Sequence, residues 1–258
     1  PIAMGDWVTS KHQIIAHKGN SSGCPENTTA AIESAIENQC TMVEIDVSVT
    51  SDGYSVALHG PNIESSTSGS GKVSQVSLEE VLNYFVRGQD GEITDEKTPL
   101  VEELLRNFGT KTKWNLDLKE GCIQENLAKV IDNLGLQNHI VLSGLKPSDV
   151  RRTIVNNPDL NVLVNLSKVD QLLAALKFIG PLYVKYRFRS LSQESSVIAI
   201  NMHYRYVSKQ IIREIHKLGL EVWIYTVDDA DLFRALFANG VDSITTNVPL
   251  EMRDSFHF

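Results

Sequence analysis

No stretch of this sequence approaches the roughly 20 consecutive apolar residues that a membrane-crossing helix needs, so a soluble chain without stable membrane insertion is expected. Cysteine is scarce. Cys24, Cys40 and Cys122 are the three present, and none has CxxC or Cys/His spacing, which argues against a thiolate zinc site and leaves an odd number that cannot all pair internally. They are expected to be reduced and non-catalytic. Basic charge is in deficit: 24 Lys and Arg against 32 Asp and Glu give a net charge of -8, so no global field draws nucleic acid and none is expected as a partner. Any phosphate chemistry must rest on local cations or a metal. A basic and apolar leader is also missing. Because the chain opens Pro1-Ile2-Ala3-Met4, upstream residues are expected to have been removed or left out, and the compartment, cytoplasmic or exported, stays open.

What is present is a repeating alternation. At 258 residues and 42% hydrophobic composition, the chain fits one large α/β domain over 1–258. β-rich runs ("QIIAH", "MVEIDVSV", "KWNLDLK", "HIVLSG", "NVLVNL", "VIAIN", "EVWIYTV", "DSITTN") number eight, with helical patterns between them. Strand then helix, repeated, predicts parallel strands and right-handed crossovers: a (β/α)8 TIM barrel, with an open doubly wound sheet as the alternative. "YVKY" at 183–186 reads as an extra strand-like run without a place. Residues 61–112 interrupt the rhythm as an insertion after the second strand, with helical pieces predicted over 77–87 and 99–108. Its "SSTSGSGK" lacks the GxxxxGK[ST] spacing of a phosphate loop and reads as flexible surface.

In such a barrel the site forms at the C-terminal strand ends. His17 and Lys18 end the first strand. Glu44 and Asp46 in "VEIDV" are two apart and share a face, as do Asp117 and Lys119 in "NLDLK". Three carboxylates converging in a low dielectric repel one another, and a divalent cation removes that conflict. An exposed antiparallel face is the bland reading of Glu-x-Asp, but it fails for a parallel strand covered by helices. His17 and His59 each close a strand-like run, whereas His12, His139, His203, His216 and His257 read as structural. Two imidazoles flanking a metal and two lysines supply the parts for phosphoryl chemistry: charge neutralisation, a base and an acid.

The segment "AHKGNSSGCPENTTAAIESAIENQCTMVEIDVSVTSDGYSVALHG" resembles the signature region of the glycerophosphodiester phosphodiesterase family, which carries His-Arg-Gly, Pro-Glu-Asn-Thr, Glu-x-Asp-Val, Thr-x-Asp-Gly and a closing His-Asp. "TPLVEELL", "NLDLK", "GLEVWIYTVDD" and "GVDSITTNVP" extend the resemblance along the chain. It implies a (β/α)8 barrel and metal-dependent hydrolysis of a small-molecule glycerophosphodiester to an alcohol and glycerol 3-phosphate. His17 and His59 then match the catalytic histidines, Glu44 and Asp46 two metal ligands, Lys119 a phosphate-binding lysine, and Glu26 the acidic member of the second motif. The carboxylate ligand set suits Mg²⁺ or Ca²⁺. Three departures stand out: Lys18 in place of arginine, Asp117 in place of a glutamate ligand, and Gly60 in place of an aspartate.

The mechanism expected has the glycerol 2-hydroxyl attack phosphorus, with His17 as first base and His59 as acid, before water opens a cyclic phosphate. Trp223, Tyr225, Tyr204 and Tyr206 are headgroup-pocket candidates, with core packing an equal account of Trp223. Rival readings are a non-catalytic phosphate-ligand-binding barrel, a related phosphodiesterase with a different substrate, and an isomerase or aldolase barrel using Lys185 or Glu221. A lipid substrate calls for an exposed apolar rim, and no clear amphipathic membrane helix is seen. Nothing in the sequence sets the oligomeric state.

Overall fold

The computed structural model describes residues 12–256. Eleven strands form in chain order: β1 Gln13–Ala16, β2 Met42–Val49, β3 Ser55–Ala57, β4 Phe85–Arg87, β5 Ile93–Lys97, β6 Lys113–Leu118, β7 Ile140–Ser143, β8 Asn161–Asn165, β9 Val197–His203, β10 Glu221–Tyr225 and β11 Ser243–Thr246. β1 pairs in parallel with β11 on one side and with β2 on the other, and β2, β6, β7, β8, β9, β10 and β11 follow one another around the ring. The ring is therefore a closed eight-stranded parallel barrel with helices outside it, as the alternation predicts. The open-sheet alternative fails because Ile15↔Met42 and Ala16↔Val43 close it.

β2 shows how the sequence produces this arrangement. All but its last residue are buried. Val43, Ile45 and Val47 join an outer apolar cluster with Ile32 and Ala35 of helix Thr29–Glu37 and with Leu104 and Leu105 of helix Val101–Phe108. Met42, Glu44 and Asp46, at the alternate positions, face the interior.

Inside the barrel, depth decides chemistry. Ile15, Met42, Val141, Leu163, Ala199 and Trp223 form an apolar plug. Two residues further along the same strands, about 6–7 Å up the barrel, stand His17, Glu44, Ser143, Asn165, Asn201 and Tyr225, which line the mouth. The apolar layer keeps water from below; the polar layer above it is where chemistry can occur.

The insertion is more structured than its composition predicts. β3 runs antiparallel to the far end of β2, through Val47↔Ala57, and a small apolar cluster of Val56, Leu58, Ile63, Val73 and Val81 lies behind it. The helix predicted over 77–87 is only Leu78–Val81, started by a Ser77–Glu80 capping box, after which Phe85–Arg87 pairs with β5. β-prone Tyr84-Phe85-Val86 overrides the helical spacing. "SSTSGSGK" lies at the surface except at Thr67, which is buried and bridges to Val86, and it ends beside a short 3-10 turn, Val73–Gln75. "YVKY" is helical: Gly180-Pro181 opens a helix over Gly180–Phe188 that buries Val184 and Phe188.

Gly19, at φ +81°, turns the chain off β1, and a Cβ there would lie 2.7 Å from the Ala31 backbone carbonyl. Gly19→Ala is expected to lower stability by roughly 2–4 kcal/mol. Gly135, at φ +65° in open space, serves as the control, and its alanine variant should cost only about 1 kcal/mol. Urea midpoints at unchanged slope would measure the difference, and equal costs would remove the packing argument.

Candidate active site

The predicted carboxylates converge. Glu44, Asp46 and Asp117 each offer an oxygen within 4.8 Å of the others. Glu44 and Asp46 are buried, and Asp117 is half-buried at the mouth. Parallel register places Glu44 beside Asn115 and Asp46 beside Asp117, so β2 and β6 bring the cluster together without any loop.

Cations and amides hold it. Lys119 Nζ bridges Asp46 Oδ1 and Asp117 Oδ2. Lys18 donates its backbone N–H to Glu44 Oε2 at 2.8 Å, while its Nζ reaches Glu26 Oε2 at 2.6 Å and Asp46 Oδ2 at 3.8 Å. Asn27 clasps Asp46 twice: Nδ2 donates to Oδ2 at 2.9 Å, and Oδ1 accepts from the Asp46 N–H at 2.9 Å. Lys18 and Asn27 both adopt left-handed backbone, with φ 56° and 60°, and this strained turn aims their side chains inward. Ser143 Oγ donates to the remaining Asp117 oxygen at 3.3 Å.

The electrostatics divide the cluster. Burial, then the neighbouring Asp46 and Asp117, push the Glu44 carboxyl well above its ordinary range. Burial would also raise Asp46, but the Lys119 and Lys18 ammoniums, with His59 adding to them, hold it below its usual value. Lys119 is driven up despite burial by Asp46, Asp117 and Glu44. Lys18 is raised despite burial by Asp46 and Glu26.

His17 stands on the same rim. Its Nδ1 meets Asn247 Oδ1 at 2.6 Å, and its Nε2 lies 3.9 Å from Glu44 Oε2. Asn247 spends its amide N–H on Asp228 Oδ2 at 2.7 Å, and its backbone N–H on Asp228 Oδ1 at 2.8 Å. Asn247 Oδ1 therefore accepts, His17 Nδ1 carries the proton, and Nε2 presents its lone pair to the mouth. Burial lowers the His17 pKa, with Lys18 lowering it further, against the Asn247 hydrogen bond that raises it. Its neutral form is thus favoured. Neither Asn247 nor Asp228 was selected from sequence, although Asn247 follows a strand end just as His17 does.

His59 arrives by another route. Beyond β3, the Leu58 N–H donates to the Asp46 carbonyl at 3.1 Å, which sets the next residue, exposed His59, within electrostatic reach of the Asp46 carboxylate. Gly60 is fixed by its own N–H to Ser48 Oγ at 3.1 Å, and a Cβ there would come within 2.7 Å of that oxygen. Ser48 occupies the space that a side chain at position 60 would need.

The remaining predicted residues separate. Glu26 is beside the site through Lys18. Tyr225 lines the mouth cavity of about 170 Å³, together with His17, Glu44, Asn115 and Asp117. Trp223 is placed otherwise: it belongs to the plug below, its Nε1 donating to Glu221 Oε2 at 2.7 Å, so core packing accounts for it. Tyr204 and Tyr206 lie on the rim around His203. Lys185 is exposed on an outer helix and Glu221 serves Trp223, so neither is placed for Schiff-base or enolising chemistry.

Residues 17–251 match the Glycerophosphoryl diester phosphodiesterase family. The chain belongs to that family. It is a phosphoric diester hydrolase by family membership. A glycerophosphodiester phosphodiesterase of Caldanaerobacter subterraneus subsp. tengcongensis is 26% identical over 246 residues, covering 93% of this chain and 95% of that protein. Among solved structures, a glycerophosphodiester phosphodiesterase from Agrobacterium tumefaciens superposes with a TM-score of 0.72 at 19% identity, covering 94% of this chain and 99% of that one. An Oleispira antarctica phosphodiesterase in complex with the product sn-glycerol-3-phosphate gives 0.72 at 22% identity, covering 95% and 97%. These two structural likenesses bear on the fold, a (β/α)8 barrel.

For this family member the cluster fits a hard divalent cation on its own geometry. Oxygens up to 4.8 Å apart span one Ca²⁺ at ordinary oxygen–calcium lengths, and the shorter bonds of Mg²⁺ would require them to draw in. Beside them the Oδ1 of buried Asn115, which lines the same cavity, has no hydrogen-bond partner. Because Glu44 must ionise to bind a cation, affinity for Ca²⁺ or Mg²⁺ is expected to rise with pH through the elevated Glu44 range, with proton release on binding below it. Titration calorimetry in buffers of different ionisation enthalpy measures that release. Asp117→Asn should weaken binding by at least the roughly 10–100-fold that outer-shell partners alone contribute. PH-independent binding, or an unaffected variant, would rule the cluster out as the ion site.

Proposed function

We propose that this chain hydrolyses glycerophosphodiesters to an alcohol and glycerol 3-phosphate by general acid–base catalysis from His17 and His59, with barrel and insertion acting as one catalytic domain. The observation that carries this reading is the meeting at one mouth of a His17 Nε2 lone pair, fixed by Asn247 and Asp228, with the carboxylate cluster, to which the chain leading into His59 is tied by the Leu58 hydrogen bond to Asp46. The Oleispira relative's product complex supports the choice of a glycerol phosphate half.

His17 Nε2 takes the proton from the glycerol 2-hydroxyl as that oxygen attacks phosphorus. Holding the hydroxyl and phosphorus in one molecule supplies a large effective molarity. His59, on the insertion side, protonates the departing alkoxide. Water then opens the cyclic phosphate, and the two imidazoles exchange roles. Lys18 and Lys119, kept charged by their carboxylate neighbours, orient the phosphoryl oxygens. Glu44, Asp46 and Asp117 would hold Mg²⁺ or Ca²⁺, which supplies Lewis-acid neutralisation of phosphoryl charge. Lys18 replaces a bidentate fork by a point charge, so phosphate is oriented by the whole set rather than by one residue.

A leaving group that needs no proton separates the two histidines. His17→Ala should lower turnover by about 10²–10⁴-fold on glycerophosphodiesters of both an alkyl alcohol and 4-nitrophenol. His59→Ala should be comparably impaired with the alkyl alcohol but largely spared with 4-nitrophenol. Equal loss on both substrates would remove the acid assignment to His59. A parent inactive on both with Mg²⁺ or Ca²⁺ supplied would favour the ligand-binding barrel instead.

A further inference from the structure

Helix Lys168–Ala174 leaves the mouth rim just beyond β8 and is fastened there by buried Gln171, whose Oε1 accepts from the His203 N–H at 3.0 Å and whose Nε2 donates to the Leu166 carbonyl at 3.0 Å. The chain turns over 175–179 and returns in helix Gly180–Phe188. Two contacts make the pair a hairpin. Asp170 Oδ1 accepts from Tyr183 OH at 2.5 Å and Arg187 Nε at 3.4 Å, and Gly180 packs so closely on the Ala174 carbonyl that a Cβ would lie 1.9 Å from its oxygen.

Its outer face is apolar. Of the eleven exposed large hydrophobic side chains among the described residues, seven fall within 169–186, with Phe178 82% and Tyr186 70% exposed. Such clustering marks an interaction surface rather than scattered surface apolarity. The charge is equally distinctive. Residues 171–193 contain no acidic side chain but include Lys177, Lys185 and Arg189, besides Arg187, whose charge Asp170 meets, in a chain whose net charge is -8. Lys177 lies 5.8 Å from the Phe178 ring centroid and Lys185 5.9 Å from that of Tyr186, so cationic heads and apolar rings share the surface. A second copy would bring the same cations face to face across a two-fold contact, which disfavours self-pairing. An anionic bilayer offers an apolar interior for Phe178, Ile179 and Leu182 and a negative surface for the lysines.

We propose that the 168–188 hairpin docks this chain peripherally on an anionic phospholipid bilayer. Gln171 links the hairpin to the mouth: its Oε1 accepts from the N–H of His203, whose ring lies 5.9 Å from that of Tyr225, which lines the cavity. Docking thus places the mouth near diesters carried by the membrane, a consequence that rests on the catalytic reading above, whereas docking itself does not.

Co-sedimentation of the full chain with vesicles of phosphatidylcholine alone, or with phosphatidylserine admixed, tests this. Binding to the anionic vesicles should be stronger by about tenfold or more and should weaken with salt. The double variant Phe178→Asp, Ile179→Asp should lose it, and Lys177→Glu with Lys185→Glu should abolish the preference for phosphatidylserine. Both should keep the parent's melting temperature, and the parent's rate on a soluble glycerophosphodiester where the parent has one. Failure of the parent to sediment with either vesicle, or undiminished binding by folded variants, would overturn the proposal. So would a parent dimer in sedimentation velocity that Phe178→Asp separates, because the face would then belong to a second copy. If soluble turnover is absent, vesicle binding and melting still decide docking, and only the catalytic reading falls.

Discussion

Asp46 is almost wholly buried, yet its carboxylate stays ionised because Lys119, Lys18 and Asn27 reach it from three directions. An unpaired charge at that depth would cost several kcal/mol, so these partners are conditions of the site rather than additions to it. The same contacts shape the chain around them. Asn27 closes a double hydrogen bond on Asp46, its N–H donates to the Lys18 carbonyl at 3.0 Å, and Thr28 caps the following helix. The loop after β1 is thus fastened to β2 by the carboxylate at the centre of the acidic cluster. Lys18 and His17, adjacent at the end of β1, inherit their positions from that fastening.

The barrel supplies the remaining constraint, which is depth. One layer of the interior is Ile, Met, Val, Leu, Ala and Trp, and the next layer on the same strands is His, Glu, Ser, Asn, Asn and Tyr. A polar layer over an apolar floor has low dielectric beneath it and solvent above, so charge interactions there exceed those at an open surface. That setting explains why Glu44 is pushed up while Asp46 is held down, although the two lie on one strand face: the lysines favour Asp46 and leave Glu44 as the member most in need of a cation.

Much of this was legible because the barrel writes itself in period two. Eight β-branched runs separated by helical spacing give the ring, and Glu44, Asp46, Asp117 and Lys119 announce a shared face by their spacing alone. Trp223 and Tyr225 obey the same alternation, and only height along the axis distinguishes core from cavity, which spacing cannot encode. His59 could be read as a strand end, but its nearness to Asp46 depends on β3 turning back along β2. Asn247 and Asp228 were open to the strand-end rule applied to His17; what sequence hid was the hydrogen-bond order joining the three. "YVKY" misleads because local β propensity lost to a Gly-Pro helix start and the burial of Val184 and Phe188.

β2 and β9 lie opposite each other in the eight-membered ring, so β3 with the insertion borders one side of the barrel and the Gln171-anchored hairpin the other. The division has a physical consequence that composition conceals. A net charge of -8 argues against attraction to an anionic surface only if charge is evenly spread, and fields between exposed groups fade over about 10 Å at ordinary ionic strength. An acid-free run of 23 residues, 171–193, sits well outside that average. Helix Gly180–Phe188 also carries apolar residues on several sides, inward at Val184 and Phe188 and outward at Leu182 and Tyr186, so no amphipathic period marks it as a surface-seeking helix. Its exposed half becomes visible only once the inner half is seen to be spent on the barrel.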